Sequence, residues 1–266
     1  MTFFKKAVLL VTATVVAFTL SACGSSKGSD VSSGEKVELT ISAAASLTDA
    51  LNELELTFEK EHKTIDLVFN YGASGALQQQ IEQGAPADLF LSAAVKNMKT
   101  LVEKGLVEES KQSNLLSNEL VVVAPKDSQV KLAEMKDLVP AEVGKIAIGI
   151  PESVPAGNYA KEALISASLW DTVVAKTVQA KDVRGVLQYV ETGNVEAGFV
   201  YKTDALASKA VKIAFAVDKA AYSPVLYPVG IVKATKHVKE AENFYNFLQT
   251  KEATDVFVKY GFSAVE

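Results

Sequence analysis

From Val37 onward the chain alternates short apolar runs with segments of helical period, and this alternation limits the architectures open to it more than any other feature. Val37 to Ala43 (VELTISA) reads as a strand, and Leu47, Leu51, Leu54 and Phe58 then step by four, three and four. Ile65 to Asn70 is a second strand, and Gly75 to Gln83 is a helix with Leu77 and Ile81 on one face and Gly84 as its stop. Ala87 to Ser92 is a third strand, and Val95 to Lys104 a helix with Gly105 at its C-cap. The pattern restarts after the apolar run Leu120 to Ala124, with strands at Lys145 to Ile150, Thr177 to Ala180, Ala197 to Tyr201 and Val211 to Val217. Helices over Gly157 to Leu169 and Val183 to Glu191 separate them. Such βαβα runs predict two α/β lobes, each a mainly parallel sheet flanked by helices. Leu120 to Ala124 and Val229 to Val232 flank the second unit as crossings, and a last helix over Ala241 to Tyr260, broken near Lys251, is assigned to the first lobe. The expected division is residues 36–116 with 229–266 for lobe 1 and 117–228 for lobe 2.

Of the 266 residues 48% are hydrophobic and 22% charged, enough apolar surface to bury a core and too little polarity for a disordered chain. The net charge of −5 supplies no basic field for nucleic acid. A single cysteine, Cys23, excludes a disulfide framework, and His62 and His237 stand in polar stretches without ligand spacing, so neither a zinc site nor a cofactor is implied.

Residues 1–22 carry Lys5 and Lys6, then fourteen largely apolar residues from Ala7 to Leu20. A membrane span needs roughly 20 apolar residues, so this run fits the core of a signal peptide instead. The tetrapeptide Leu20-Ser21-Ala22-Cys23 resembles the lipobox of bacterial lipoproteins, which implies cleavage before Cys23 and lipidation of its thiol. Residues 23–35, rich in glycine and serine, read as a flexible linker. Loss of residues 1–22 removes two lysines and no acid, which takes the mature net charge to −7. An extracytoplasmic, membrane-anchored protein is expected.

Four strand-to-helix junctions share a composition suited to anions. Ser46, with Asp49 three residues on, reads as a helix N-cap with a capping-box partner, and Ser74 in Tyr71-Gly72-Ala73-Ser74-Gly75 reads as another. Pro155 stands near the start of a third helix, and Asp182 caps a fourth. Helix starts carry unpaired amides and about half a positive charge, so several converging on one cleft make an anion site without a formal cation.

The blocks AAASLTDAL (43–51), YGASGALQQQIEQGAPADLFLSA (71–93), PESVPAGNYAKEAL (151–164), DVRGVLQYVETGNVEAGFVYKTDA (182–205) and YPVGIVK (227–233) resemble the molybdate-binding component of ABC-type molybdate transporters. The resemblance runs from about residue 37 to the C-terminus and implies a two-lobed type II periplasmic-binding-protein fold that closes on one tetrahedral oxyanion. Position by position, it implies ligand contacts from Ser46 and Ser74 in the first lobe and from Ala156, Val183 and Tyr201 in the second. The serines would donate hydroxyl and amide, Ala156 and Val183 backbone N–H, and Tyr201 its phenol. The molybdenum would be held only as its oxyanion, with no direct metal ligand, by a monomer that serves a membrane permease.

With no Lys or Arg among those positions, capture rests on dehydrated, charge-assisted hydrogen bonds from neutral donors. Phosphate keeps a proton near neutrality and needs an acceptor, so a pocket that only donates disfavours it by roughly 1–3 kcal/mol. Sulfate is smaller and is to be refused on fit, whereas tungstate nearly matches molybdate. Two other readings are a binding protein for another oxyanion such as sulfate and an exported serine hydrolase acting through Ser74. Against the hydrolase, Gly72-Ala73-Ser74-Gly75 is not G-x-S-x-G, and neither histidine is placed to be a triad member.

Overall fold

The computed structural model describes residues 36–265, so the signal peptide, Cys23 and the linker over 23–35 lie outside the described residues. Element order follows the βα alternation of the sequence. Strand β1 (Val37–Ala44) leads through a 3-10 turn at Ala45–Leu47 into α1 (Thr48–Glu61), followed by β2 (Ile65–Gly72), α2 (Ser74–Glu82), β3 (Leu89–Leu91), α3 (Val95–Glu103) and β4 (Val107–Ser117). The second series is β5 (Leu120–Pro125), β6 (Ile146–Gly149), α4 (Pro155–Ser166), α5 (Trp170–Val173), β7 (Thr177–Ala180), α6 (Val183–Glu191), β8 (Ala197–Tyr201), α7 (Lys202–Ala207) and β9 (Val211–Ala216). The chain closes with β10 (Leu226–Val232), α8 (Val238–Leu248), α9 (Lys251–Lys259) and β11 (Ser263–Ala264).

Two sheets result. The first has strand order β11-β4-β10-β3-β1-β2 and the second β7-β6-β8-β5-β9. They are mixed rather than mainly parallel. Strands β2, β1 and β3 run parallel and β10, β4 and β11 antiparallel to their neighbours, while β7, β6 and β8 are parallel and β5 and β9 antiparallel. The parallel part of each sheet comes from the βαβ units read in the sequence. The antiparallel part comes from strands that enter from the other lobe or return by a short connection, where no crossover helix enforces parallel pairing.

Strands β5 and β6 are buried along nearly their whole length because helices cover both faces of their sheet, which explains their unbroken apolar sequences LVVVA and IAIG. The chain passes between sheets twice, at Asn118–Glu119 before β5 and over residues 217–225 before β10. Leu120 to Ala124 and Val229 to Val232 are thus sheet members beside the crossings. Helices α8 and α9 pack on the first sheet, with Phe244 5.0 Å from Phe58 of α1, and the break falls at Gln249–Thr250, where Thr250 caps α9. Gly157, in the first turn of α4, lies so close to Gly149 at the end of β6 that any Cβ would overlap the Gly149 carbonyl, which seats this helix start against the sheet.

Candidate oxyanion site between the two sheets

Ser46, Ser74, Ala156, Val183 and Tyr201 line one small cavity of about 10 Å³, together with Ala44, Gly72, Ala93 and Pro155. All five are buried, at 3%, 1%, 0%, 4% and 1% exposure. Ser46 comes from the 3-10 turn after β1, while Ser74, Ala156 and Val183 sit in the first turns of α2, α4 and α6, and Tyr201 ends β8. Amides in a first helical turn have no acceptor within their own helix, so the N–H groups of Ser74, Ala156 and Val183 are free for a ligand. The first-sheet strands β1 and β2 and the second-sheet strands β6 and β8 all point their carboxyl ends at this place, as in other open α/β sheets.

Two of the cap assignments differ from the sequence reading. Neither Ser46 nor Ser74 caps a helix by its side chain: Leu47 and Ala73 hold the N-cap positions. Ser46 Oγ instead lies 2.9 Å from Tyr227 Oη, and Ser74 Oγ accepts from the Ala93 N–H at 2.9 Å. Long-range partners have outcompeted the local amides, and both hydroxyls are held at the cavity wall. Asp182 does cap α6, accepting from the Gly185 N–H, and Pro155 stands in the first turn of α4. The Tyr201 hydroxyl is buried with no hydrogen-bond partner among the described residues, and burial pushes its pKa far above the ordinary phenol value. It is a protonated donor on a residue that lines the cavity.

Asp49 is not a capping-box partner either; it pairs with Arg184, whose other face meets Asp204 at 2.8 Å. Sequence reasoning overlooked this cation, which follows Val183 directly. Its charge is taken up by the two carboxylates, so the donors that face the cavity are neutral. Asp204 is fully buried and accepts from the Tyr201 N–H, and desolvation raises its pKa to about 6 against the opposing pull of Arg184. The signal in the sequence was the run Asp182-Val183-Arg184 with Asp204 just past Tyr201.

Among the described residues, polar contacts bridge the two sides beside the cavity. Gly75 N–H donates to Ser153 carbonyl at 3.0 Å, Tyr159 hydroxyl to Ala93 carbonyl at 3.3 Å, and Arg184 to Asp49. A larger groove of about 490 Å³ adjoins the cavity, but Glu152 and Glu162 stand in its walls against one cation, Lys96, so its charged lining is acidic on balance and opposes an anion. Among the described residues no group of His, Cys, Asp and Glu is arranged to hold a metal ion. His62 stacks on Phe58 at 4.2 Å and His237 precedes α8, so Ser74 has no histidine beside it.

Comparison with known proteins agrees with this geometry. Residues 39–263 match the family model for bacterial extracellular solute-binding proteins. YvgL of Bacillus subtilis (strain 168), which carries the name of an ABC transporter substrate-binding lipoprotein, is 53% identical over 98% of this chain and 99% of its own. The molybdate-binding protein ModA of Escherichia coli (strain K12) is 41% identical over 85% of this chain and 89% of its own. A solved structure described as the substrate binding domain of a molybdenum ABC transporter from Clostridium difficile superposes with a TM-score of 0.67 at 45% identity, over 87% of this chain and all of that one. The chain belongs to the bacterial extracellular solute-binding proteins and is a ModA-like member of that family.

Proposed function

We propose that this protein captures molybdate, and tungstate equally well, between its two lobes and delivers it to the membrane permease of an ABC importer. The observation that carries this reading is the meeting of five buried residues, Ser46, Ser74, Ala156, Val183 and Tyr201, at one cavity with no unpaired charge facing it. A dianion with four acceptor oxygens and no proton suits such a set, because every donor finds a lone pair and no acceptor is asked for. Lobe 1 is built on the first sheet and lobe 2 on the second, with Asn118–Glu119 and residues 217–225 as the joints on which they close; the division into residues 36–116 with 229–266 and 117–228 read from the sequence is thereby shifted, since Ser117 and Leu226–Pro228 belong to strands of the first sheet. The mature chain is a monomer that begins at Cys23, lipid-anchored on the outer face of the cell membrane, with residues 23–35 as its tether.

Isothermal titration with molybdate, tungstate and sulfate tests this directly. Saturable binding of the first two at one ion per chain, with sulfate weaker by a factor of a hundred or more, is expected. Tighter binding of sulfate would give the protein to a different oxyanion. Binding without catalysis is the reading that Ser74 supports, since its hydroxyl accepts from a backbone amide and stands beside no base. Labelling of Ser74 by a phosphonate probe would reverse that. Cys23→Ala should leave the protein unprocessed or released from membranes, and an unchanged membrane fraction would refute the anchor.

A further inference from the structure

The hydroxyl of Ser46 belongs to a chain of hydrogen bonds whose direction is fixed from one end. Glu119 N–H donates to Asn118 Oδ1 at 2.9 Å, and a backbone amide has no lone pair to offer in return. The Asn118 amide is thereby oriented with its NH2 toward Thr203 Oγ1 at 2.9 Å and Tyr227 Oη at 3.3 Å. Tyr227 Oη accepts from that NH2, which leaves its single hydrogen for Ser46 Oγ at 2.9 Å, its other hydrogen-bond partner within 3.5 Å among the described residues. If Ser46 donated to Tyr227 instead, the phenolic hydrogen of a residue 1% exposed would be buried unpaired. Ser46 therefore receives a hydrogen bond from Tyr227, and its own hydrogen is left for the cavity. Ser74 is set the same way in one step, because its oxygen accepts from Ala93 N–H.

We propose that Asn118 and Tyr227 are specificity-determining positioning residues: by giving Ser46 Oγ a hydrogen bond they take up one of its lone pairs and leave its hydrogen for the ligand, so that the serine meets the ion as a donor and the site discriminates against oxyanions that carry a proton. The proposal rests on the oxyanion-binding reading above and deepens it. It assigns roles to one residue at a crossing between the sheets, Asn118, and to one in β10, Tyr227, neither of which lines the cavity. Charge alone does not supply this selectivity at mildly basic pH, where molybdate and hydrogenarsenate are both dianions. What separates them is one hydrogen, which needs an acceptor that a donor-only wall lacks.

Two substitutions test the direction of the chain. Tyr227→Phe keeps the ring packed between Tyr201, at 5.8 Å, and Phe262, at 5.3 Å, and removes only the hydroxyl, and with it the hydrogen given to Ser46 and the acceptor of the Asn118 NH2. Asn118→Asp replaces an NH2 with an oxygen of the same shape, so Tyr227 would donate to the carboxylate and Ser46 to Tyr227, turning lone pairs toward the cavity. Molybdate and arsenate affinities are measured by titration at mildly basic pH for the native protein, both variants and Tyr201→Phe. The ratio of molybdate to arsenate affinity should fall at least tenfold in Tyr227→Phe and further in Asn118→Asp, while Tyr201→Phe, which only removes a donor, should not narrow it. Equal losses for both anions in Tyr227→Phe and Asn118→Asp would reduce these residues to structural supports and overturn the proposal. Absence of molybdate binding by the native protein would instead overturn the oxyanion reading itself.

Discussion

Gly75 is the position where one methyl group should separate folding from closure. It is the second residue of α2, its backbone dihedral is not in the left-handed region, and its N–H reaches across to the Ser153 carbonyl at 3.0 Å. A Cβ placed there would lie 2.6 Å from that oxygen, 2.9 Å from Ser153 Cα and 3.1 Å from its carbonyl carbon. All three are backbone atoms, so relief requires the two lobes to stand apart by about 0.8 Å, the gap between 2.6 Å and an ordinary contact of 3.4 Å. Overpacking of this kind costs about 1–3 kcal/mol, and a stretched hydrogen bond about 0.5–1.5 kcal/mol more. The open form bears neither cost, and alanine favours a helix over glycine by up to about 1 kcal/mol. Gly75→Ala should therefore weaken molybdate binding by about 2 kcal/mol, roughly thirtyfold, while the ligand-free protein melts at the same temperature or slightly higher. Titration calorimetry and a thermal melt without ligand measure the two halves. An affinity within twofold of the native value would show that the Gly75–Ser153 contact is no part of the bound form, and the reasoning would fail.

Tyr201→Phe removes a hydroxyl with no protein partner among the described residues, so it should lower molybdate affinity tenfold to a hundredfold, about 1.5–3 kcal/mol, without a loss of ligand-free melting temperature. Asp49→Asn weakens a pair that spans the lobes, and a three- to tenfold faster release in stopped-flow, with an unchanged ligand-free melt, is expected; an unchanged release rate would mean that the pair does not hold the bound form. Asp204, with a pKa of about 6 when folded against 3.8 as a free side chain, retains a proton in the folded state that the unfolded chain gives up. Stability should consequently fall as pH rises from about 4 to about 6, by up to roughly 3 kcal/mol from this group alone, and urea titrations of Asp204→Asn across that range should lack the decline. The same group limits the pH window of binding: affinity should be flat above about pH 7, where Asp204 is ionised, and a steep change there would point to a titrating group in the cavity.

The sequence disclosed the elements that bury a periodic apolar face on their own account. Helix α6 and strand β8 lie where their patterns put them, because Val183, Val186, Leu187 and Val190 make one buried stripe and AGFVY is buried throughout. Strand β4 was not legible. Only Val107 and Leu116 of its sequence VEESKQSNLLS are buried, and it is a strand because β10 and β11 pair with it on either side. At the site, the five residues implied by resemblance do converge, but what their side chains bond to was hidden. Ser46 and Ser74 have the local look of caps, and their actual partners, Tyr227 and Ala93, lie 181 and 19 residues away. Arg184 escaped notice for the same reason, since its neutralising carboxylates stand on α1 and α7. Tyr227 was visible only as a tyrosine at the head of an apolar strand, and nothing local distinguishes such a residue from core.

The burial of all five donors has a kinetic consequence. All five residues are buried and polar contacts span the two sides beside them, so an ion enters only while the walls stand apart and they settle around it afterwards. The dwell time of the cargo is then the waiting time for the lobes to part, and it is set by Gly75–Ser153, Tyr159–Ala93 and Arg184–Asp49 as much as by the hydrogen bonds to the ion. A permease that grips both lobes and draws them apart empties the site without competing for a single oxygen, and unloading becomes a mechanical act at a distance from the ligand.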